Sequence, residues 1–504
     1  MVRIKTPDLG GIHTTIEAVL CTQSDGAEAY HGAAENIRKD RRRMTEQSLP
    51  PIRILSPTAI LGYGFPRASF DAALAKRPDV IAVDAGSSDP GPYYLGAGVS
   101  FTDRTAVKRD LQLMLTAARA RGIPLLVGTG GGAGARPHLD WTVAIVREIA
   151  REEGLAGKLA VIPSDMDRKT LLAALDSGEL VPLPPGDPAT AQDIEASTHI
   201  VAQLGEEPLI AALDAGADVV IAGRCYDPAV FAAVPIRRGY PRGLALHMGK
   251  ILECAAIAAL PGSGSDCMLG TLDEDGFILE TLNADRVCTV TSVAAHTLYE
   301  KSDPYRLPGP GGVLDLTETT FEQIDEARVR VSGSRFIPSD GYFVKLEGAK
   351  VSGYRTVSIA GARAPDFIAQ LDEIIAGVRA RVADNFPVMA EGDARLLFRV
   401  YGRDGVMGAL EPERDALPHE VGIVIEAVAD TQDRADTICS FARSTMLHFG
   451  YPGRVSTAGN LAFPYSPSDF EAGAVYGFSL YHLLRLDDPV APFPFELSNL
   501  EDPK

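Results

Sequence analysis

Four short stretches of the chain hold residues whose types and spacing can do chemistry. In GTGGGAG, Gly128, Gly130, Gly131, Gly132 and Gly134 crowd into seven positions between an apolar run and a helix that begins near Pro137 or His138. Glycines let backbone N–H groups close on an anion, and a helix start adds positive potential. The loop is not a Walker A sequence, because no Gly-Lys-Ser/Thr follows. It is not a clean dinucleotide fingerprint either, because no acid closes the next strand. Phosphate or carboxylate binding is the expectation, and a plain tight turn is the alternative.

DAGSSDPGPYYLGAGVSF supplies Asp84 at a strand end, then Ser87, Ser88 and Asp89. These residues can hold a metal or a hydroxylated substrate, or simply bond their own backbone in turns and caps. AGRCYDPA offers Arg224, able to clamp a carboxylate with two parallel hydrogen bonds, and Asp227 ahead of a helix. The bland alternative is an Arg224–Asp227 ion pair with Asp227 as helix cap. HMGKILECAA places His247, Lys250, Glu253 and Cys254 on adjacent helical faces. Lys250 and Cys254 are four apart, so the lysine is expected to lower the thiol pKa. Against this stands a core helix with Cys254 as a small buried hydrophobe. His138 and His296 read as structural histidines.

Elements of alternating type position these stretches. From 52 to about 225, β-branched runs alternate with amphipathic segments, with strands near 52–57, 79–86, 123–129, 159–165 and 218–224. Helices fall between them near 67–76, 104–121, 138–154, 167–176 and 207–215, and another covers 241–260. The fold class is therefore α/β, a doubly wound and mainly parallel, Rossmann-like sheet, in which ligands sit beyond the carboxyl ends of the strands. After 262 the pattern becomes α+β and ferredoxin-like, with hairpins around Asp-Glu-Asp-Gly and through RVRVSGSRF and YFVKLEG. The expected domains are an arm over 1–50, an α/β domain over 51–262, an α+β domain over 263–490 and a Pro-rich acidic surface tail over 491–504.

Bulk properties exclude several function classes. At 504 residues the chain exceeds one core, and its 46% hydrophobic and 23% charged content is that of a globular protein. A net charge of -19 repels phosphodiester backbones, and the one basic run, RKDRRR at 38–43, is short and broken by Asp40. Six scattered cysteines form no disulfide or zinc pattern, which fits a reducing cytoplasm. No apolar stretch is long enough to span a membrane. Serine hydrolase, HExxH metalloprotease and kinase signatures are absent.

In combination, LSPTAILGYGFP, VDAGSSDPGPYYLG, GTGGGAG, GADVVIAGRCYDPAVF, HMGKILECAA and TSVAAHTLYEK resemble the acyclic terpene utilisation (AtuA) family, from about Ile52 to near Pro365. The resemblance implies an α/β domain and a role in catabolism of branched or other carboxylic acids, with coenzyme A entering as part of a thioester substrate. Many relatives end in a ferredoxin-fold module marked by HARSGDKGD, which is missing here. The similar subgroup is encoded beside a small companion protein, which implies a heteromeric enzyme.

The leading expectation is a lyase or hydratase of a small carboxylic acid or acyl-CoA. The Gly-rich loop and Arg224 hold the anion, one of Glu253, Lys250 and Asp227 moves a proton, and Cys254 is a further catalytic candidate. The second reading is a nucleotide-dependent ligase or phosphotransferase with magnesium on Asp84 or Asp89, a divalent metal that the acids of the first reading also permit. The third is a non-catalytic binding subunit. An oligomer with a small-molecule ligand is expected, with neither nucleic acid nor membrane as partner.

Overall fold

Unbroken apolar runs such as VIAVD and VVIA bury both faces of a strand, which requires cover above and below the sheet. The computed structural model describes residues 49–184 and 186–502, and these runs form the fully buried strands Val80–Asp84 and Val219–Ala222. The chain divides at Pro50, and everything below concerns the unit that begins at Pro51. The arm expected over 1–50 and the basic run at 38–43 lie outside the described residues, apart from Leu49 and Pro50.

Five strands run parallel, in the order Ile52–Ser56, Val80–Asp84, Leu125–Gly128, Val219–Ala222 and Lys158–Ile162. Antiparallel strands extend this block on both sides into a ten-stranded sheet. On one side Met268–Leu272 pairs with Ile52–Ser56, and the expected hairpin joins it to Gly276–Thr281. On the other side Glu496–Asn499 pairs with Lys158–Ile162. The fold is thus mixed α/β. Helices Arg67–Ala75, Arg104–Arg121, Arg136–Glu153, Arg168–Ser177 and Glu206–Asp214 occupy the expected connections.

A second sheet of six strands is built around Tyr342–Ala362, a strand of 21 residues. From there the order is strand, helix Leu371–Asn385, strands Ala394–Tyr401 and Val421–Ala429, helix Gln432–Leu447, strand Asp469–Leu486. Spatially the strands follow the sequence Ala394–Tyr401, Val421–Ala429, Tyr342–Ala362, Asp469–Leu486, all antiparallel. Residues from the first half complete it: Leu180–Pro182 pairs with Asp469–Leu486, and His199–Ala202 pairs with Tyr342–Ala362. Both the ten-stranded and the six-stranded sheet thus draw strands from either side of residue 262.

Two further expectations need correction. RVRVSGSRF and YFVKLEG do not form one hairpin: Arg328–Ser332 joins the first sheet, and Arg335–Pro338 joins a small three-stranded sheet. YFVKLEG opens the long strand instead. The tail over 491–504 is not all surface, since Phe493 and Leu500 are fully buried and their burial offsets the cost of ordering a Pro-rich segment.

Candidate active site

Asp84 closes its parallel strand, and Arg224 and Asp227 follow another two strands away, so the carboxyl ends of the sheet bring these groups together. Helix Arg242–Leu252 delivers the rest. Every residue from Gly243 to Leu252 is buried, so Lys250 and Glu253 enter the interior with a core helix. A Cβ on Gly249 would lie 2.6 Å from the Pro228 carbonyl oxygen, so glycine there lets the helix close on the Asp227 turn.

Oxygens of Asp84, Asp227 and Glu253 lie within 4.8 Å of one another. Arg224, 2% exposed, binds around this cluster. Its Nη1 donates to Asp227 Oδ1 at 3.0 Å, to the Cys225 carbonyl at 2.8 Å and to Thr129 Oγ1 at 3.3 Å, and its Nε donates to Glu347 Oε2 at 3.1 Å. Glu347 Oε1 in turn accepts from Ser88 Oγ at 3.1 Å and pairs with Lys345 at 2.7 Å. Lys250 donates to Glu253 and stands 5.6 Å from the centre of the Tyr299 ring, which stacks on His296.

Burial and charge split the acids into two groups. Burial raises Asp84 to about 7, helped by Asp227, while Arg224, Thr129 and the Gly86 N–H pull it down. Burial and the Asp227 charge raise Glu253 to about 8 against the pull of Lys250. For Asp227 the cations Arg224 and Lys250 outweigh burial and hold the carboxyl below its ordinary value. Glu347, between Arg224 and Lys345, drops to about 2 although burial opposes this. The site therefore contains both kinds of carboxyl, those that keep a proton near neutrality and those that do not.

The glycine loop is packed rather than open. The N–H groups of Thr129, Gly130, Gly132 and Gly134 donate to the carbonyls of Gly223, Ala222, Thr129 and Gly130, and so are not free for an anion. Gly134 has φ of +76°, and a Cβ there would fall 2.2 Å from the Arg224 backbone nitrogen. Gly128, Gly130 and Gly134 thus fit the turn closely against the segment 222–230, whereas Gly131 and Gly132 lie against His138 and Phe101.

Other expected residues fall at the rim or outside it. Ser87 Oγ accepts from the N–H of Asp89, an exposed acid, as an ordinary turn would have it. The expectation for Cys254 is corrected: burial and Glu253 push its thiol upward and outweigh the downward pull of Lys250. Asp227 does not cap the following helix, whose cap position is Pro228. His247 lies between Ser334 and Thr297, at 2.6 and 3.1 Å, and His138 contacts the carbonyls of Tyr94 and Val99.

Sequence reading missed Glu347, Lys345, Thr129 and Ser164. The signal for the first two was present: in YFVKLEG two charged residues at i and i+2 share one face of an otherwise apolar strand. Ser164 Oγ accepts from the Arg224 N–H at 2.6 Å. Thr129 has φ of +49°, and Ala255 and Glu300 are also in the left-handed region. These are three of the four non-glycine residues with positive φ among those described, and all three flank the site.

A family model described as acyclic terpene utilisation family protein AtuA matches residues 102–262 and 271–465. The chain belongs to this family. The match to AtuA extends past Pro365 into the second sheet and includes Asp227, Lys250, Glu253 and Glu347, whereas Asp84 precedes it. A second model, methylaspartate ammonia-lyase C-terminus, matches residues 1–47, outside the described residues. The methylaspartate ammonia-lyase of Citrobacter amalonaticus is 58% identical over 36 residues, which are 7% of this chain and 9% of that protein. No solved structure matches the chain.

Proposed function

We propose that the chain is a lyase of the hydratase type acting on a small or branched carboxylic acid or its coenzyme A thioester. One observation carries this reading: the buried Asp84, Glu253 and Lys250 and the half-buried Asp227 converge at the carboxyl ends of the parallel strands. Elimination beside a carboxylate moves a proton from one carbon to a base. The electrons of that C–H bond form the double bond, and the C–O or C–N bond breaks toward a leaving group that takes up a proton. Lys250, an ammonium that Glu253 and Asp227 hold above its ordinary pKa, is placed to hand that proton to a strongly basic leaving group such as hydroxide. The glycine loop and Arg224 shape the wall that positions the acids.

The stretch at 1–47 supports this reading modestly, since the protein it resembles is by name a lyase acting on methylaspartate, a methyl-branched amino dicarboxylate. The test is turnover by the purified full chain, alone and with its small companion, on methylaspartate, hydroxy acids, unsaturated dicarboxylates and enoyl thioesters. Double-bond formation or loss that disappears in Lys250→Met supports the assignment. A folded chain inert across the whole panel overturns it. Turnover of the complex that is indifferent to Lys250→Met and Glu253→Gln would make the chain a binding subunit.

A further inference from the structure

We propose that Asp84, Asp227 and Glu253 form a site for one divalent cation of the magnesium or manganese class. Oxygens sharing such an ion stand up to about 5 Å apart, given metal–oxygen bonds of roughly 2.0–2.6 Å. The three carboxylates meet within 4.8 Å, arriving from a strand end, a turn and a helix end. Arg224 anchors Oδ1 of Asp227, and Lys250 anchors Oε1 of Glu253, so two of the three carboxylates are held in place by a cation.

Asp84 provides the second, independent observation. The residue is 6% exposed, and its Oδ1 has no hydrogen-bond partner among the described residues. A buried carboxylate oxygen without a donor is costly unless a cation supplies the missing attraction. The ion pairs around it leave that demand unmet. Three buried carboxylates, Asp84, Glu253 and Glu347, and the half-buried Asp227 face the three cations Arg224, Lys250 and Lys345, while Lys301 and Glu300 offset each other.

The donors are all oxygens, which selects a hard cation over zinc or copper. The role of the ion, though not its presence, rests on the lyase reading. A carboxylate substrate would be repelled by three carboxylates, whereas an ion held among them would attract its anion and withdraw electron density from it.

Manganese titration of the chelator-stripped full chain, read by electron paramagnetic resonance of the free ion, tests the site. The expected result is one Mn2+ per chain, displaced by Mg2+, with affinity at least about tenfold weaker in Asp84→Asn and in Asp227→Asn, as loss of one of three charged ligands should give. Asp71→Asn, an exposed acid paired with Arg67, should bind as the parent does. Circular dichroism confirms that the variants fold, and Glu253→Gln gives the same readout should either aspartate variant fail. Absence of stoichiometric binding by the folded chain, or binding indifferent to all three substitutions, overturns the proposal. Intact Mn2+ binding with an inert substrate panel would overturn the lyase reading alone. Turnover that persists in chelator, without Mn2+ binding, would overturn the cation alone.

Discussion

Arg224 donates from Nε to Glu347 Oε2 at 3.1 Å, and this buried contact ties the ten-stranded sheet to the six-stranded one. Removing one partner of a buried ion pair leaves the other charge uncompensated, at a cost of about 3–5 kcal/mol. Glu347→Gln should therefore lower unfolding stability by about that amount at neutral pH, as measured by denaturant titration. The Glu347 carboxyl falls from its ordinary 4.5 to about 2, so the stability it provides is complete above pH 4.5 and fades as the pH drops toward 2. The gap between the parent and the variant should narrow over that window.

Two buried histidines set a second acid-sensitive range. Burial holds His247 down at about 3 and His296 at about 4, with Lys250 adding to both shifts. The unfolded chain takes up these protons below about pH 6.5, whereas the folded chain does not. Their contribution is thus intact above pH 6.5 and is lost as the pH falls toward 4 and then 3. Ring resonances of His247 should remain those of the neutral form at pH 5, and a ring that titrates above pH 6 would contradict its place between Ser334 and Thr297.

Lys250→Met retains the length and apolar stem of a side chain that is 1% exposed, but removes the ammonium. Turnover should fall by about 100-fold or more, the usual contribution of a positioned proton donor. Lys250→Arg should not rescue it, because the larger planar guanidinium does not fit a position that is 1% exposed. A variant that keeps full activity would exclude Lys250 from the proton step.

Gly134→Ala tests the packing of the loop. The left-handed backbone alone costs about 1–3 kcal/mol for a non-glycine residue. The added methyl would also meet the Arg224 nitrogen, which Ser164 already binds. A lower melting temperature together with weaker Mn2+ binding is expected, since the displaced segment carries both Arg224 and Asp227. Unchanged values of both would show that the close approach is dispensable.

The compact unit begins at Pro51, and the family match lies entirely within it. Deletion of residues 1–48 should therefore leave the melting temperature within about 2 °C of the parent and Mn2+ binding intact, a shift that corresponds to about 2 kcal/mol for a domain of this size. A deletion variant that aggregates or loses the ion would show that the first segment supports the unit.

The parallel strands and their helices were legible because each is a local pattern: a β-branched run between glycines, or an amphipathic stretch such as 104–121. Asp84, Arg224, Asp227, Lys250 and Glu253 were legible because acids and bases at strand and helix ends are conspicuous. What stayed hidden was nonlocal. Nothing in LVP or HIVA announces pairing with strands from the far half of the chain, and FELSN resembles the Pro-rich tail around it until it meets Lys158–Ile162. Glu347 was missed for the same reason, since its partner lies in another sheet. In the glycine loop close backbone packing and anion binding favour the same residue, and the fold shows which carbonyls the N–H groups of Thr129, Gly130, Gly132 and Gly134 meet.

The 21-residue strand Tyr342–Ala362 carries Lys345 and Glu347 near its beginning, and its later residues pair with the strand Val421–Ala429. It is a lever with one end in the carboxylate cluster and the other under the C-terminal helices. One continuous backbone thus links the Arg224–Glu347 ion pair to the sheet face on which helix Gln432–Leu447 packs.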